Sequence, residues 1–260
     1  ATAVPHAEIL EAAKRTGATL RYLDCTQDGK ITAAQIEETV KKHYEDGSRE
    51  HIVQPGMVYI SFPTESGTLY SKQELTDIYA VCKAHDMPLF IDGARLGYGL
   101  QSPACDVTLP ELANLCDVFY IGGTKCGALF GEAVVILKES LKKDFRYMIK
   151  QRGGMFAKGF LFGVQFDAYF KDGLWLDMAR HAVTQAQRIA KAAQEKGYTL
   201  YAQSPTNQVF VVLSHEKIAE LEKNFAFEAF GHVDDDHEAM RFVCSWATKP
   251  EAVDALIESL

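Results

Sequence analysis

The sequence predicts an α/β fold: a mostly parallel sheet with helices on both faces, followed by a smaller α+β C-terminal domain. In the first half of the chain, short β-rich runs alternate with amphipathic helical segments, which is typical of parallel strands joined by crossover helices. After Phe130 the order changes, and the longest helical segment, residues 175–196, leads into shorter elements. We therefore expect a large domain over residues 1–197 and a small domain over residues 198–260.

Five strands are predicted in the large domain from runs of apolar and β-branched residues. In chain order they span residues 19–25, 57–62, 88–91, 117–121 and 132–137. The carboxyl ends of parallel strands lie at one edge of a sheet, and ligands bind at that edge in folds of this class. Residues that directly follow these strands are therefore the first candidates for a functional site.

Three helices of the large domain begin with a capping-box pattern, in which a Ser/Thr and a Glu/Gln three residues later satisfy each other's backbone N–H groups. The pairs are Thr32 with Gln35, Ser71 with Glu74, and Thr108 with Glu111. In the small domain we predict strands at residues 209–213 and 240–245 and helices at 216–224 and 251–260. These patterns define where each element begins.

Composition limits the classes of partner. A formal charge of −8 and a pI near 5.5 argue against nucleic acid or an anionic membrane as the main partner, and favour a small polar ligand. The six cysteines are scattered without the spacing of a metal site, so no metal is predicted. With no long apolar run and no leader-like pattern in the given sequence, we expect a cytoplasmic protein.

Two residues with complementary chemistry follow neighbouring predicted strands. Asp92 ends the third strand in Asp-Gly-Ala-Arg, and Lys125 follows the fourth in Gly-Gly-Thr-Lys. A lysine amine can form a Schiff base with an aldehyde, and a carboxylate can hold a pyridine nitrogen in its protonated form. A pyridoxal cofactor requires both groups. Either residue alone is more often a surface or capping residue, whereas the pair in this context indicates a cofactor site.

The stretch LFIDGARLGYGL and, after it, DVFYIGGTKCGALFGE resemble the cofactor core of the threonine aldolase and aromatic amino acid β-eliminating lyase family of fold-type I pyridoxal-phosphate enzymes. The resemblance extends from about Thr19 to the C-terminus. It implies that pyridoxal 5'-phosphate is the cofactor, that Lys125 forms the Schiff base and that Asp92 pairs with the pyridinium. We expect the family's N-terminal segment, which contains a glycine-rich phosphate loop, to be missing from this chain.

The same resemblance implies roles for six further residues. Thr124 and Gly123 would lie at the phosphate. His6 either corresponds to a histidine that stacks on the ring or belongs to a simple N-terminal helix, which the residue pattern favours. Arg95 would lie near the cofactor and the substrate carboxylate, and Arg241 would bind that carboxylate bidentately. His51 is the candidate base for the substrate hydroxyl, because histidine has a suitable pKa. Fold-type I enzymes also share active sites between subunits, which implies a homodimer or homotetramer.

These sequence features favour or disfavour four functions. The first is cleavage of a β-hydroxy-α-amino acid to glycine and an aldehyde, and the second is β-elimination from an amino acid; both use the same cofactor. A third is a non-catalytic fragment or assembly partner, which the missing segment favours and the retained Asp92, Thr124, Lys125 and Arg241 oppose. A nicotinamide-dependent oxidoreductase is disfavoured because no GxGxxG element follows the early strands.

Overall fold

The computed structural model describes residues 25, 26 and 28–260, and its large sheet has the predicted mostly parallel arrangement. The strands are β1 (Val58–Ser61), β2 (Leu89–Asp92), β3 (Val118–Gly122) and β4 (Glu132–Ile136), and they lie side by side in that order. The first three are parallel and β4 is antiparallel to β3. The α/β class is thereby confirmed. His6 and nearly all of the predicted strand at residues 19–25 lie outside the described residues.

Six helices accompany this sheet in the described part of the chain. They are α1 (Ala33–Glu45), α2 (Lys72–Ala84), α3 (Leu96–Leu100), α4 (Leu109–Ala113), α5 (Phe145–Gln151) and α6 (Phe160–Phe170). The predicted capping boxes form: the Thr32, Ser71 and Thr108 N–H groups donate to Gln35, Glu74 and Glu111 at 2.8, 2.7 and 2.9 Å. Each bond satisfies a donor that the first turn of a helix would leave unpaired.

The two faces of the large sheet differ in their environment. Ile60, Leu89 and Ile91 point into a hydrophobic core that also contains side chains of α1 and α2. On the opposite face Tyr59 is 43% exposed and Val134 is 50% exposed. In a sheet the side chains alternate between faces, so the more open face is the one that also carries Asp92, two residues after Phe90.

The long helix α7 (Leu174–Glu195) contributes to two hydrophobic cores and agrees within one residue at each end with the predicted helix. Its first half places Trp175 and Ala179 in the core of the large sheet, and its second half places Ala186 and Ile189 in a second core. The second core therefore begins inside α7. A division into two domains at Gly197 stays a prediction.

The C-terminal region forms a second, antiparallel sheet. Its strands are β5 (Leu200–Ala202), β6 (Gln208–Ser214), β7 (Glu228–His232) and β8 (His237–Val243), in the spatial order β5-β6-β8-β7, with helices α8 (His215–Leu221) and α9 (Pro250–Ser259). Strands β5 and β7 were not predicted. Both are edge strands without a fully buried residue, so neither carries the apolar run that identifies a central strand. None of the helices described is long and apolar enough to span a membrane.

Candidate active site

Asp92 is the last residue of β2, and three donors surround its carboxylate. The Ala94 N–H donates to Oδ1 at 2.9 Å, the Tyr120 hydroxyl donates to Oδ1 as well, and the Tyr59 hydroxyl donates to Oδ2. Tyr59 and Tyr120 come from β1 and β3, the strands on either side of β2. The Asp92 carboxylate is therefore held in one orientation at the carboxyl edge of the sheet.

The ends of β2 and β3 approach so closely that only glycine fits between them. The Gly122 N–H donates to the Gly93 carbonyl at 2.9 Å. A Cβ atom on Gly93 would lie 1.8 Å from the Tyr120 carbonyl oxygen, and one on Gly122 would lie 2.2 Å from the Ala94 carbonyl oxygen. These contacts bring the segment after Asp92 against the segment that leads to Lys125.

Lys125 lies in a short 3₁₀ helix, Thr124–Cys126, and we call residues 122–127 the Lys125 turn. Two buried tyrosines bind its backbone carbonyls: the Tyr98 hydroxyl donates to Lys125 at 2.6 Å, and the Tyr169 hydroxyl donates to Gly122 at 3.3 Å and Cys126 at 3.2 Å. The Lys125 side chain is exposed, and among the described residues its amine makes no hydrogen bond or ion pair. The backbone is fixed and the amine is free to react.

The neighbours of Lys125 in the turn have different roles. The Cys126 thiol is buried, and burial raises its pKa to about 12, so it stays protonated beside the amine. The Gly123 N–H donates to the Glu132 carboxylate at 2.6 Å and is thus already paired. The Thr124 side chain is exposed, as a residue that contacts a ligand must be.

A continuous set of polar contacts joins the two arginines predicted from the sequence. Arg95 pairs with Glu65 at 3.3 Å, and both side chains are mostly buried. The Gln208 amide donates to the Glu65 carbonyl at 3.4 Å and accepts from Arg241 Nη1 at 3.5 Å. Gln208 begins β6 of the antiparallel C-terminal sheet, and Glu65 follows β1 of the large sheet. These contacts therefore bring Arg95 and Arg241 to the same region, where the two sheets approach each other.

The Nε donor of Arg241 is unused in the part of the chain that the structure describes. Nη2 donates to Glu228, whereas Nε is buried and has no hydrogen-bond partner among those residues. A buried unpaired donor costs free energy, about 1–3 kcal/mol, and calls for an explanation such as a ligand. A carboxylate-bearing ligand would satisfy it.

The structure does not bring His51 to this group. His51 is exposed in the turn Arg49–His51, ahead of the amino end of β1, whereas Asp92 ends the parallel strand β2. No contact joins it to Asp92 or Lys125 among the described residues. A catalytic role for His51 rests on the resemblance alone.

Six residues of the candidate site are not predicted by the sequence patterns. They are Tyr59, Glu65, Tyr98, Tyr120, Tyr169 and Gln208. Tyr59 and Tyr120 carry a detectable signal, because each places a phenol hydroxyl in a mostly apolar strand next to β2. Gln208 lies more than a hundred residues from Glu65 in sequence, and no local pattern connects such a pair.

Comparison with known proteins shows which family and which relatives this chain resembles. The family model described as beta-eliminating lyase matches residues 6–216. A low specificity L-threonine aldolase of Pseudomonas aeruginosa is 31% identical over 237 residues, which is 90% of this chain and 66% of that protein. Another from a Pseudomonas species is 31% identical over 230 residues, 88% of this chain and 64% of that protein. The chain thus spans slightly less than two thirds of the length of these curated relatives.

Solved structures of other proteins are also similar to this chain. A threonine aldolase of Leishmania major superposes with a TM-score of 0.92 at 41% identity, covering 99% of this chain and 75% of that one. A 4-hydroxyphenylacetaldehyde synthase of Rhodiola rosea has a TM-score of 0.73 at 15% identity, covering 99% of this chain and 60% of that one, a similarity that concerns the fold alone. By the match of its sequence over residues 6–216 and by its architecture, this chain belongs to the beta-eliminating lyase family.

Proposed function

We propose that the protein is a pyridoxal-phosphate-dependent lyase that cleaves a β-hydroxy-α-amino acid to glycine and an aldehyde. The observation that carries the proposal is the placement of two groups on strand ends in direct contact: an oriented carboxylate, Asp92, and the Lys125 amine, which has no partner in the described part of the chain. The similarity to proteins named L-threonine aldolase supports this choice of reaction.

The residues present fit the cofactor. Lys125 would hold it covalently through its amine, and Asp92 would accept a hydrogen bond from the ring nitrogen. The exposed hydroxyl of Thr124 would bind the phosphate. The Gly123 N–H would reach the phosphate only if it exchanged its bond to Glu132. When bound, pyridoxal phosphate supplies a ring that accepts the electron pair released as a substrate bond breaks.

Arg241 and Arg95 would bind the substrate carboxylate. The unpaired Nε of Arg241 provides one donor, and Glu65 and Gln208 hold the two guanidinium groups in place. The proton of the substrate hydroxyl requires a base, and His51 keeps that role only as an expectation from the resemblance.

β-Elimination is the second candidate, because the matching family model carries that description. In that reaction the α-proton leaves first, and the Lys125 amine, once released from the cofactor, is suited to accept it. The two reactions need the same carboxylate, amine and arginines. They differ in the bond that breaks and therefore in the product.

We also propose that the protein works as a homodimer or homotetramer in the cytoplasm. Helix α6 is apolar around most of its circumference and exposes Phe160, Leu161 and Val164, and Leu129 beside it is 84% exposed. Apolar surface of this kind usually marks an interface, and a second copy of the chain is the proposed occupant. All six cysteines are free, which suits a reducing compartment.

The test uses visible absorbance and product assays on the same samples. We expect the wild type, mixed with pyridoxal phosphate, to develop the absorbance of a lysine-bound cofactor and to release aldehyde from L-threonine or L-allo-threonine. Lys125→Ala should do neither. Absorbance without aldehyde would favour β-elimination, and equal absorbance in the wild type and Lys125→Ala would exclude the cofactor assignment.

A further inference from the structure

Two tyrosines from the strands on either side of β2 donate to the Asp92 carboxylate. Tyr59 of β1 lies opposite Phe90 and donates to Oδ2. Tyr120 of β3 lies two residues after Val118, which is opposite Phe90, so Tyr120 is level with Asp92 and donates to Oδ1. Because side chains alternate along a strand, all three polar side chains project from the same face of the sheet.

Phe90 fixes both phenol rings. The Tyr59 ring stacks on Phe90 with centroids 5.2 Å apart and an interplanar angle of 6°. The Tyr120 ring lies against the same Phe90 at 6.2 Å. Rings that are already packed lose little further freedom when their hydroxyls bind a carboxylate. The row Tyr59–Phe90–Tyr120 therefore presents two preorganised donors to Asp92.

Both phenols remain protonated and act only as donors. Burial, and then the hydrogen bond to Asp92, raises the pKa of Tyr59 and of Tyr120 well above the usual tyrosine range. The charges of Glu65 near Tyr59 and Glu132 near Tyr120 act in the same direction. The Glu65 carboxylate is itself paired with the Arg95 guanidinium at 3.3 Å.

The count of acceptor sites leaves one place for a ligand. An ionised carboxylate has about four lone-pair sites. Tyr120 and the Ala94 N–H fill Oδ1, and Tyr59 takes one site of Oδ2. One acceptor site remains, on Oδ2, and the orientation of the carboxylate sets its direction.

We infer that Tyr59 and Tyr120 are positioning residues for Asp92: their hydroxyls fix the orientation of its carboxylate, so that the remaining site on Oδ2 accepts the N–H of a cationic aromatic ring. The inference rests on the proposed function, since the ring is that of the pyridoxal cofactor. Tyr120 carries the larger share, because Tyr59 is 43% exposed and water can replace its hydroxyl.

The first experiment tests the contact without cofactor. The protein is labelled at its tyrosine rings, and the resonances of Tyr59 and Tyr120 are assigned with Tyr59→Phe and Tyr120→Phe. We expect Asp92→Asn to shift both resonances, because the charged acceptor is lost. The resonance of Tyr147, which is exposed on α5, should stay unchanged.

The second experiment tests whether the Tyr59 and Tyr120 hydroxyls affect cofactor binding through the ring nitrogen of pyridoxal phosphate. The affinity of each variant is measured for pyridoxal phosphate and for its analogue in which carbon replaces the ring nitrogen. Tyr120→Phe should weaken binding of pyridoxal phosphate about tenfold, with a smaller loss for Tyr59→Phe, and neither should weaken binding of the analogue. Tyr147→Phe is the matched control, and thermal unfolding establishes that each variant is folded.

A purely structural role predicts equal weakening for the two ligands, and that result would overturn the inference. Wild-type affinity for pyridoxal phosphate in both variants would also overturn it. So would Tyr59 and Tyr120 resonances that do not shift in Asp92→Asn. If the wild type binds neither ligand, the proposed function fails and the positioning role fails with it. If the wild type binds both ligands and only the difference between them is missing, the positioning role alone is wrong.

Discussion

The two strand ends that meet at the candidate site hold their functional residues in opposite ways. At the end of β2, three donors bind the Asp92 side chain. Beyond the end of β3, Tyr98 and Tyr169 bind only backbone carbonyls of the Lys125 turn, and the Lys125 amine has no partner among residues 25, 26 and 28–260. A group that orients a ring benefits from a fixed direction, whereas an amine that makes and breaks a covalent bond must be able to move. The contrast yields four predictions.

The largest effect is expected at the contact between the strand ends. Gly93→Ala should destabilise the protein by more than about 3 kcal/mol, because the new methyl group would lie 1.8 Å from the Tyr120 carbonyl oxygen and the backbone must shift. The free energy of unfolding in urea measures this. Gly47→Ala, just after α1, is the control: nothing lies within 4 Å of its new methyl group and its φ is not positive, so it should be neutral or stabilising by up to about 1 kcal/mol. Similar stabilities for the two variants would contradict the close approach.

A smaller loss is expected where the Lys125 turn is bound. Tyr98→Phe keeps the buried ring but removes the donor to the Lys125 carbonyl, which should cost about 1–3 kcal/mol of unfolding free energy. The same change at the exposed Tyr147 should cost less than about 0.5 kcal/mol. If both substitutions are equally harmless in urea denaturation, the bond from Tyr98 does not hold the turn.

Replacing the amine itself should leave the fold almost unchanged. Lys125→Ala removes an exposed side chain whose amine has no partner in the described part of the chain, so its unfolding free energy should stay within about 0.5 kcal/mol of the wild type. Any loss of cofactor binding or turnover in this variant would then come from the missing amine and not from a change in the fold. A destabilisation as large as that of Tyr98→Phe would show that the amine has a structural contact.

The smallest effect concerns the thiol next to Lys125. Burial raises the pKa of Cys126 to about 12, so at neutral pH it is protonated and inaccessible. Iodoacetamide should therefore modify the exposed Cys25 and leave Cys126 intact, as peptide mass spectrometry would reveal. Reactivity should increase only as the pH approaches the raised pKa or as the protein unfolds. Rapid alkylation of Cys126 at neutral pH would mean that the turn opens.

Much of the fold follows from local patterns. The capping boxes at Thr32, Ser71 and Thr108 place three helix starts correctly, because they depend on residues only three positions apart. Strands β1 to β4, β6 and β8 contain enough apolar residues to be found within three residues of their observed bounds. Strand β5 has only three residues and Gly231 interrupts the apolar residues of β7, so neither forms the run that identifies a strand. The edge strand β4 is found because it contains the run Ala-Val-Val-Ile.

The sequence by itself determined the α/β class, the mostly parallel sheet and the places of Asp92 and Lys125 after successive strands, since the positions and ends of strands follow from short-range patterns. Only the tertiary structure decided which side chains surround them. The tyrosine donors to Asp92 come from the two neighbouring strands, and the donor to the Lys125 carbonyl comes from α3. Arg95 and Arg241 are linked only indirectly, through Glu65 and Gln208. Such contacts depend on the packing of segments far apart in the chain, and no local pattern of residues encodes them.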